Sequence, residues 1–232
     1  MPVDDRSIVS EHIVEVRHQA LGRLIDIRGH VADAILGHTD LGFWTITENR
    51  VDFRVTQESQ RELAFVSHQS FGYSVRRPDT RNYLPDRAMR FIHELLQVQG
   101  YELKPVTRFG VRSRLLLPHE GRFAAFVRRV TEAMPVPANL RPLNTEVEDV
   151  GPVLVLRRGE TQIKLQVGPM ELEQSKAILP GHENLPEVGL YIDQDHYQSR
   201  LGRMNERDIA NLLRSLHAQV WEVVDFYNHL LL

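Results

Sequence analysis

The apolar positions of the chain alternate between two periods, and the switches mark its elements. His12 to Gln19 sets Ile13, Glu15 and Arg17 against Val14, Val16 and His18, the period-two pattern of a strand. Leu21, Leu24, Ile25, Ala32, Ile35 and Leu36 then fall on a helical period, with Gly37 placed as its stop. A hairpin follows: Phe43 to Thr47 is one arm, Glu48-Asn49 the turn, and Val51, Phe53 and Val55 the inward side of the other. Leu63 to Val75 is strand-like, with Leu63, Phe65, Phe71, Tyr73 and Val75 on one parity. Pro85 opens a helix whose buried stripe is Ala88, Phe91, Ile92, Leu95 and Leu96, ending at Gly100.

The pattern then begins again. Val106 to Leu117 is a strand, and Phe123, Phe126, Val127, Val130 and Met134 mark a helix that Pro135 stops. The prolines of Pro135 to Pro142 make a rigid connector. Val153 to Leu156, a turn at Arg158-Gly159, and Ile163, Leu165 and Val167 form a second hairpin, and Val188 to Ile192 a further strand. Val16-Arg17 matches Val111-Arg112, and Phe53 and Val55 match Leu165 and Val167. The expected fold is therefore α+β and a single domain, residues 1–232. It holds two pseudo-repeats, about 10–102 and 103–232, each strand, helix, antiparallel strands, helix. Together they would form one curved antiparallel sheet with helices on one face.

The last helix carries the clearest signal. Ile209, Leu213, Leu216, Val220, Val223, Tyr227 and Leu230 alternate spacings of four and three. From Glu206 to Leu231 the helix would run about 39 Å, with Asn205 as its cap and Asp208 in the place of the usual Glu. The seam either lies on the chain's own sheet or meets a second copy, which makes Leu213, Leu216, Val220, Val223, Tyr227 and Leu230 the candidate interface of a homodimer. Trp221, Val224, Phe226 and Leu231 lie partly outside that seam, more apolar surface than one side can bury.

Composition narrows the function without naming it. With 42% hydrophobic and 25% charged residues the chain is an ordinary globular one, and its lack of cysteine excludes thiol catalysis, thiolate zinc sites and iron–sulfur ligation. No run of apolar residues is long enough to span a bilayer, so no membrane partner is expected. The acidic start, Met1-Pro2-Val3-Asp4-Asp5-Arg6, is no signal peptide, and cytoplasmic location is the expectation. Arg76 to Arg129 is strongly basic and Glu183 to Leu232 acidic, an asymmetry that suits either an anionic partner or internal pairing.

Three motifs, Val106-Thr107-Arg108-Phe109-Gly110-Val111-Arg112, Gly189-Leu190-Tyr191-Ile192-Asp193, and Leu216-His217 with Trp221 and Phe226, resemble a sporadically distributed family of bacterial proteins. That family is of uncharacterised activity, with a duplicated TATA-box-binding-protein-like, or helix-grip, fold. Ser113-Arg114 stands where the family often has tyrosine and asparagine. The resemblance implies a fold and brings no activity, cofactor or site with it.

The candidate chemistry is sparse. Arg108, Arg112 and Arg114 have even spacing and share one side of a strand, an anion-binding row for phosphate or nucleic acid with Arg128 and Arg129 on the next helix. The alternative is pairing with Glu146, Glu148 and Asp149. Asp193, Asp195 and His196 form the one compact ligand-like cluster for a divalent metal, although His196 points to the opposite side of a strand. His93-Glu94 lacks a second histidine, and Ser67-His68 and Ser70 lack a nucleophile elbow. No phosphate-binding glycine loop occurs, and no cofactor is implied. The expectation is a non-catalytic binding or assembly module acting through a homodimer or a protein partner. Nucleic-acid or nucleotide binding, and a metal- or small-ligand-dependent enzyme, are the alternatives.

Overall fold

A computed structural model describes residues 7–133 and 148–231. In chain order the elements are β1 (Val9–His18), α1 (Leu24–His38), β2 (Phe43–Ile46), β3 (Arg50–Arg54), β4 (Glu62–Ser67), β5 (Ser70–Arg76) and α2 (Tyr83–Gln97). They continue with β6 (Val106–Pro118), α3 (Phe123–Ala133), β7 (Val153–Arg158), β8 (Thr161–Glu171), α4 (Leu172–Ile178), β9 (Val188–Gly202) and α5 (Glu206–Leu231). The nine strands make one antiparallel sheet in the order β2-β3-β4-β5-β1-β6-β9-β8-β7.

The two strands that open the predicted halves, β1 and β6, meet at the centre, with Val14 opposite Val111. Outward from β1 come β5, β4, β3 and β2; outward from β6 come β9, β8 and β7. Position in the sheet therefore matches β3 with β7 and β4 with β8. Leu165 and Val167 lie on β8, so the expected match of Phe53 and Val55 with them is displaced by one strand. Alternation is the same in every hairpin, so pattern alone cannot choose between neighbouring arms.

Strand parity sorts the side chains. His12, Val14 and Val16 of β1, Phe109, Val111, Ser113 and Leu115 of β6, and Leu190, Ile192, Gln194 and His196 of β9 lie on the helix-covered side. There α1, α2 and the start of α5 cover one apolar cluster around Phe53, Phe71, Tyr73 and Phe91. α3 and the rest of α5 cover a second around Leu117, Phe126, Leu165 and Ile192. α5 joins the two: Ile209, Leu213, Leu216 and Val220 belong to the first, Trp221, Val224 and Leu231 to the second. Burial of each such large aliphatic side chain contributes roughly 1.5–3 kcal/mol.

Several local expectations change. Leu63 to Val75 is a tight hairpin, and since Ser67 faces Ser70 across it, parity flips at the turn. Leu63 and Phe65 thus lie on the side away from Phe71, Tyr73 and Val75, with Phe65 opposite Gly72. Gly37 lies inside α1, which ends at Thr39, where both the backbone N–H and Oγ1 bond to the Ile35 carbonyl. β9 runs well past Ile192 through its polar half. The short α4, which the pattern did not reveal, packs with Val9, Leu116, Leu179 and Tyr191 on the side opposite the long helices. The proline connector 135–142 lies outside the described residues.

Candidate functional site

The side of the sheet away from the long helices carries a ladder of charges across β5, β1, β6 and β9. Arg108, Arg112 and Arg114 do share this side, as their spacing predicts. Each has a carboxylate. Arg112 donates through Nε and Nη2 to the two oxygens of Asp193 at 2.9 and 2.7 Å. Arg108 Nη2 donates to both oxygens of Asp195 at 2.9 and 2.7 Å. Arg114 pairs with Glu11, which also accepts from Arg76 at 3.3 Å. Arg17 donates to Glu15 at 2.8 Å. The Asp193 carboxylate, through its hydrogen bonds and charge, holds the Arg112 guanidinium above its already high ordinary value.

Glu11 pairs with its direct cross-strand neighbours Arg114 and Arg76, whereas the sheet's twist makes the Arg112 pair diagonal. Arg112 stands directly opposite Asp195 in the register yet reaches Asp193 two residues along. Gly110 makes room for the neighbouring stack, in which the Arg108 guanidinium lies 4.4 Å from the centre of the Tyr197 ring. A Cβ on Gly110 would sit 3.1 Å from Arg108 Nη1 and 3.2 Å from Tyr197 Cβ.

Two sequence-based sites thereby meet in one set of ion pairs. The acids expected to hold a metal, Asp193 and Asp195, are the partners of the arginines expected to hold an anion. His196 projects through to the helix side, where its Nε2 lies 2.8 Å from Gln194 Oε1, and burial lowers its pKa to about 4. No group of metal-ligating side chains converges among the described residues. Arg128 and Arg129 are exposed on α3, across the sheet from Arg108, Arg112 and Arg114, because from Arg108 onward the even-numbered residues of β6 face away from the long helices. Internal pairing of the row is what the structure shows, though not with Glu148 or Asp149, which are remote from it; Glu146 lies outside the described residues.

The helix side holds a buried polar cluster. His12 Nδ1 lies 2.7 Å from Ser113 Oγ, its direct cross-strand neighbour, and the His12 ring sits 5.6 Å from Trp221 and 5.9 Å from His217. Burial lowers the His12 pKa to about 3, with His217 adding to the effect, and lowers that of His217 to about 4. Both rings are neutral at physiological pH. Trp221 also borders a cleft of about 1050 Å³ lined by Ser10, Arg77, Thr80, Arg81 and Asn184. Arg81 is held there by both oxygens of Asp225 at 2.8 Å and by the Trp221 ring at 4.4 Å.

The seam of α5 faces inward. Leu213, Leu216 and Val220 are fully buried under the chain's own sheet, and Val223 and Tyr227 pack partly against the second cluster. Of the candidate interface only Leu230 is largely open, 45% exposed, beside Phe226 at 57%. The larger apolar surface lies on the edge strand β7, where Val153 is 67% and Val155 70% exposed and Leu154 and Leu156 are also open. Sequence reasoning took this segment as a hairpin arm only. Its signal was four consecutive apolar residues, one side of which a single hairpin partner cannot cover. No protein-family model and no curated protein matches the sequence.

Proposed function

We propose that this chain is a non-catalytic binding or assembly module that works through protein–protein contact. The observation that carries the reading is the run Val153–Leu156, an apolar edge strand lying open while the central arginines Arg108, Arg112 and Arg114 are paired within the chain. Exposed apolar stretches of this kind mark contact surfaces. The order of strands about the β1–β6 pair supports a doubled unit of the TATA-box-binding-protein-like kind. Fold alone assigns no function, and an open sheet side covered with arginine–carboxylate pairs is a poor phosphate reader. Among the described residues no helix is long and apolar enough to cross a membrane, and a cytoplasmic setting is part of the proposal.

The test compares the wild type with the Val153→Lys/Val155→Lys variant, each immobilised and also free in solution. The wild type should hold a polypeptide at fixed stoichiometry, its own or another, and the variant should lose it while keeping its melting temperature. A wild type that neither self-associates nor retains any polypeptide overturns the reading.

A further inference from the structure

The geometry points to a second copy of the chain as the occupant of the β7 edge, joined by antiparallel β7–β7 pairing about a twofold axis that continues the sheet from one protomer into the next. This rests on the contact reading above and names its partner. Among the described residues β7 bonds only to β8, in unbroken register from Val153 opposite Gln166 to Arg158 opposite Thr161. The Pro152 carbonyl accepts from Val167 N–H at 3.3 Å. Along an antiparallel strand the bonding direction alternates, so Leu154 and Leu156 turn their backbone groups to β8. Val153, Val155 and Arg157 therefore turn theirs outward. Such an outward row of donors and acceptors, without a strand partner among the described residues, is a template for another strand, and within β7 no lysine, proline or bulge blunts it.

The flanking charges choose the partner and its direction. Glu148-Asp149 precedes β7 and Arg157-Arg158 ends it. Antiparallel pairing lays the basic end of each copy along the acidic end of the other, whereas parallel pairing would set arginine against arginine. A twofold axis normal to the sheet keeps the helices of both copies on the same side, and so requires opposed residues of equal parity. The register centred on Leu154 meets this. It sets Leu154 against its own copy and Val153 against Val155, each such pair exchanging two backbone hydrogen bonds. It also makes Arg157 a diagonal neighbour of Asp149 on one side of the sheet and Arg158 of Glu148 on the other.

The opposite edge lacks this self-complementarity: β2 is shorter, and Asp40 before it and Glu48 after it would oppose like charges. Next to β7 the surface continues in kind. Arg158 pairs with Glu222 of α5, and Phe226 and Leu230 follow Glu222 at successive helical turns, extending the apolar strip beside the edge.

The experiment is sedimentation of the full chain over a wide range of concentration. The wild type should be a dimer. Val155→Pro removes an outward N–H without touching the bonds to β8, and should raise the dimer dissociation constant by roughly tenfold or more with circular dichroism unchanged. Arg157→Glu and Asp149→Arg, each carrying like charges at both ends of the edge, should each be monomeric. An equimolar mixture of those two should recover the dimer, a result that misfolding cannot produce. A wild type that is monomeric throughout, or a Val155→Pro variant as dimeric as the wild type, overturns the β7 pairing. In the monomeric case the contact reading stands only if the immobilised protein retains a different polypeptide, which separates the two failures.

Discussion

Acidification from pH 7 to about pH 5.5 should destabilise the fold by nearly 4 kcal/mol through three imidazoles alone. His12, His196 and His217 are buried, with pKa values lowered to about 3, about 4 and about 4 from an ordinary 6.5. In the unfolded chain each takes up most of a proton as the pH falls through that interval, while in the native protein each stays neutral. The unfolded state thus binds more protons, and stability falls as the pH falls. The difference integrates to about 1.2 kcal/mol per group. That is a large share of a typical total of about 5–15 kcal/mol. The window lies above the carboxylate range, so the imidazoles dominate it. Urea unfolding midpoints at a series of pH values give the slope, and His12→Gln should reduce the loss across this window by about 1.2 kcal/mol. A flat stability across the window, or a His12 ring that titrates near its ordinary value, would show that burial does not hold these imidazoles neutral.

Other perturbations follow from single contacts. The buried Glu62 carboxylate accepts from Tyr73, from Tyr83 Oη at 2.6 Å and from Arg87 Nε at 3.0 Å, so its pKa is lowered although burial alone would raise it. Arg87→Met should therefore cost about 3 kcal/mol in thermal unfolding, more than Glu62→Gln, because it strands a buried charge. Gly72→Ala would place a Cβ 2.6 Å from the Val14 carbonyl and 2.7 Å from the Phe65 ring, and should lower stability by about 1–3 kcal/mol, read as a lower melting temperature. Asn205 Oδ1 accepts from Asp208 N–H at 3.0 Å while Asp208 Oδ2 accepts from Asn205 N–H at 3.0 Å. Asn205→Ala should cost about 1 kcal/mol in urea unfolding. On heparin, Arg112→Ala/Arg114→Ala should elute with the wild type at every salt concentration, since both arginines already have carboxylates; a wild type held tightly and released by the double substitution would show the row open to phosphate.

The architecture was legible because its longest signals are periodic. The α5 seam, the α2 stripe and the alternation in β1 and β6 reflect burial on one side, and burial is what holds those elements in place. The extent of β9 was not legible: Asp193 and Asp195 interrupt the apolar pattern, and only the arginines of β6 show why carboxylates belong in a central strand. Gln194 and His196 are buried polar residues that a hydropathy pattern reads as exposed, yet Gln194 Nε2 donates to the Val220 carbonyl at 3.1 Å and so ties the strand to α5. α4 has too few residues for a period to emerge. The partners of the candidate site residues were not legible for a related reason: spacing shows which residues share a side, and it does not show what stands across from them.

The charge ladder has a consequence for how the sheet assembles. A strand slipped by one residue sends its whole side-chain set to the wrong side. In the middle of this sheet that error would bury Arg112 and Asp193 among the helices and is strongly opposed. A slip by two residues keeps the sides correct and is opposed far less by apolar burial alone. The pairs Arg112–Asp193 and Arg108–Asp195 discriminate against it, because a two-residue slip in either direction leaves one of the two guanidiniums facing a tyrosine, Tyr197 or Tyr191, in place of its carboxylate. Buried and half-buried charge pairs add little net stability compared with apolar contacts, but they do select a register. β7 has only Arg157 and Arg158 to serve that purpose at its outer edge, with Glu148 and Asp149 as the matching acids eight or more residues back along the same strand direction. Within one copy those charges are too far apart along the strand to pair with each other. Across a twofold they meet.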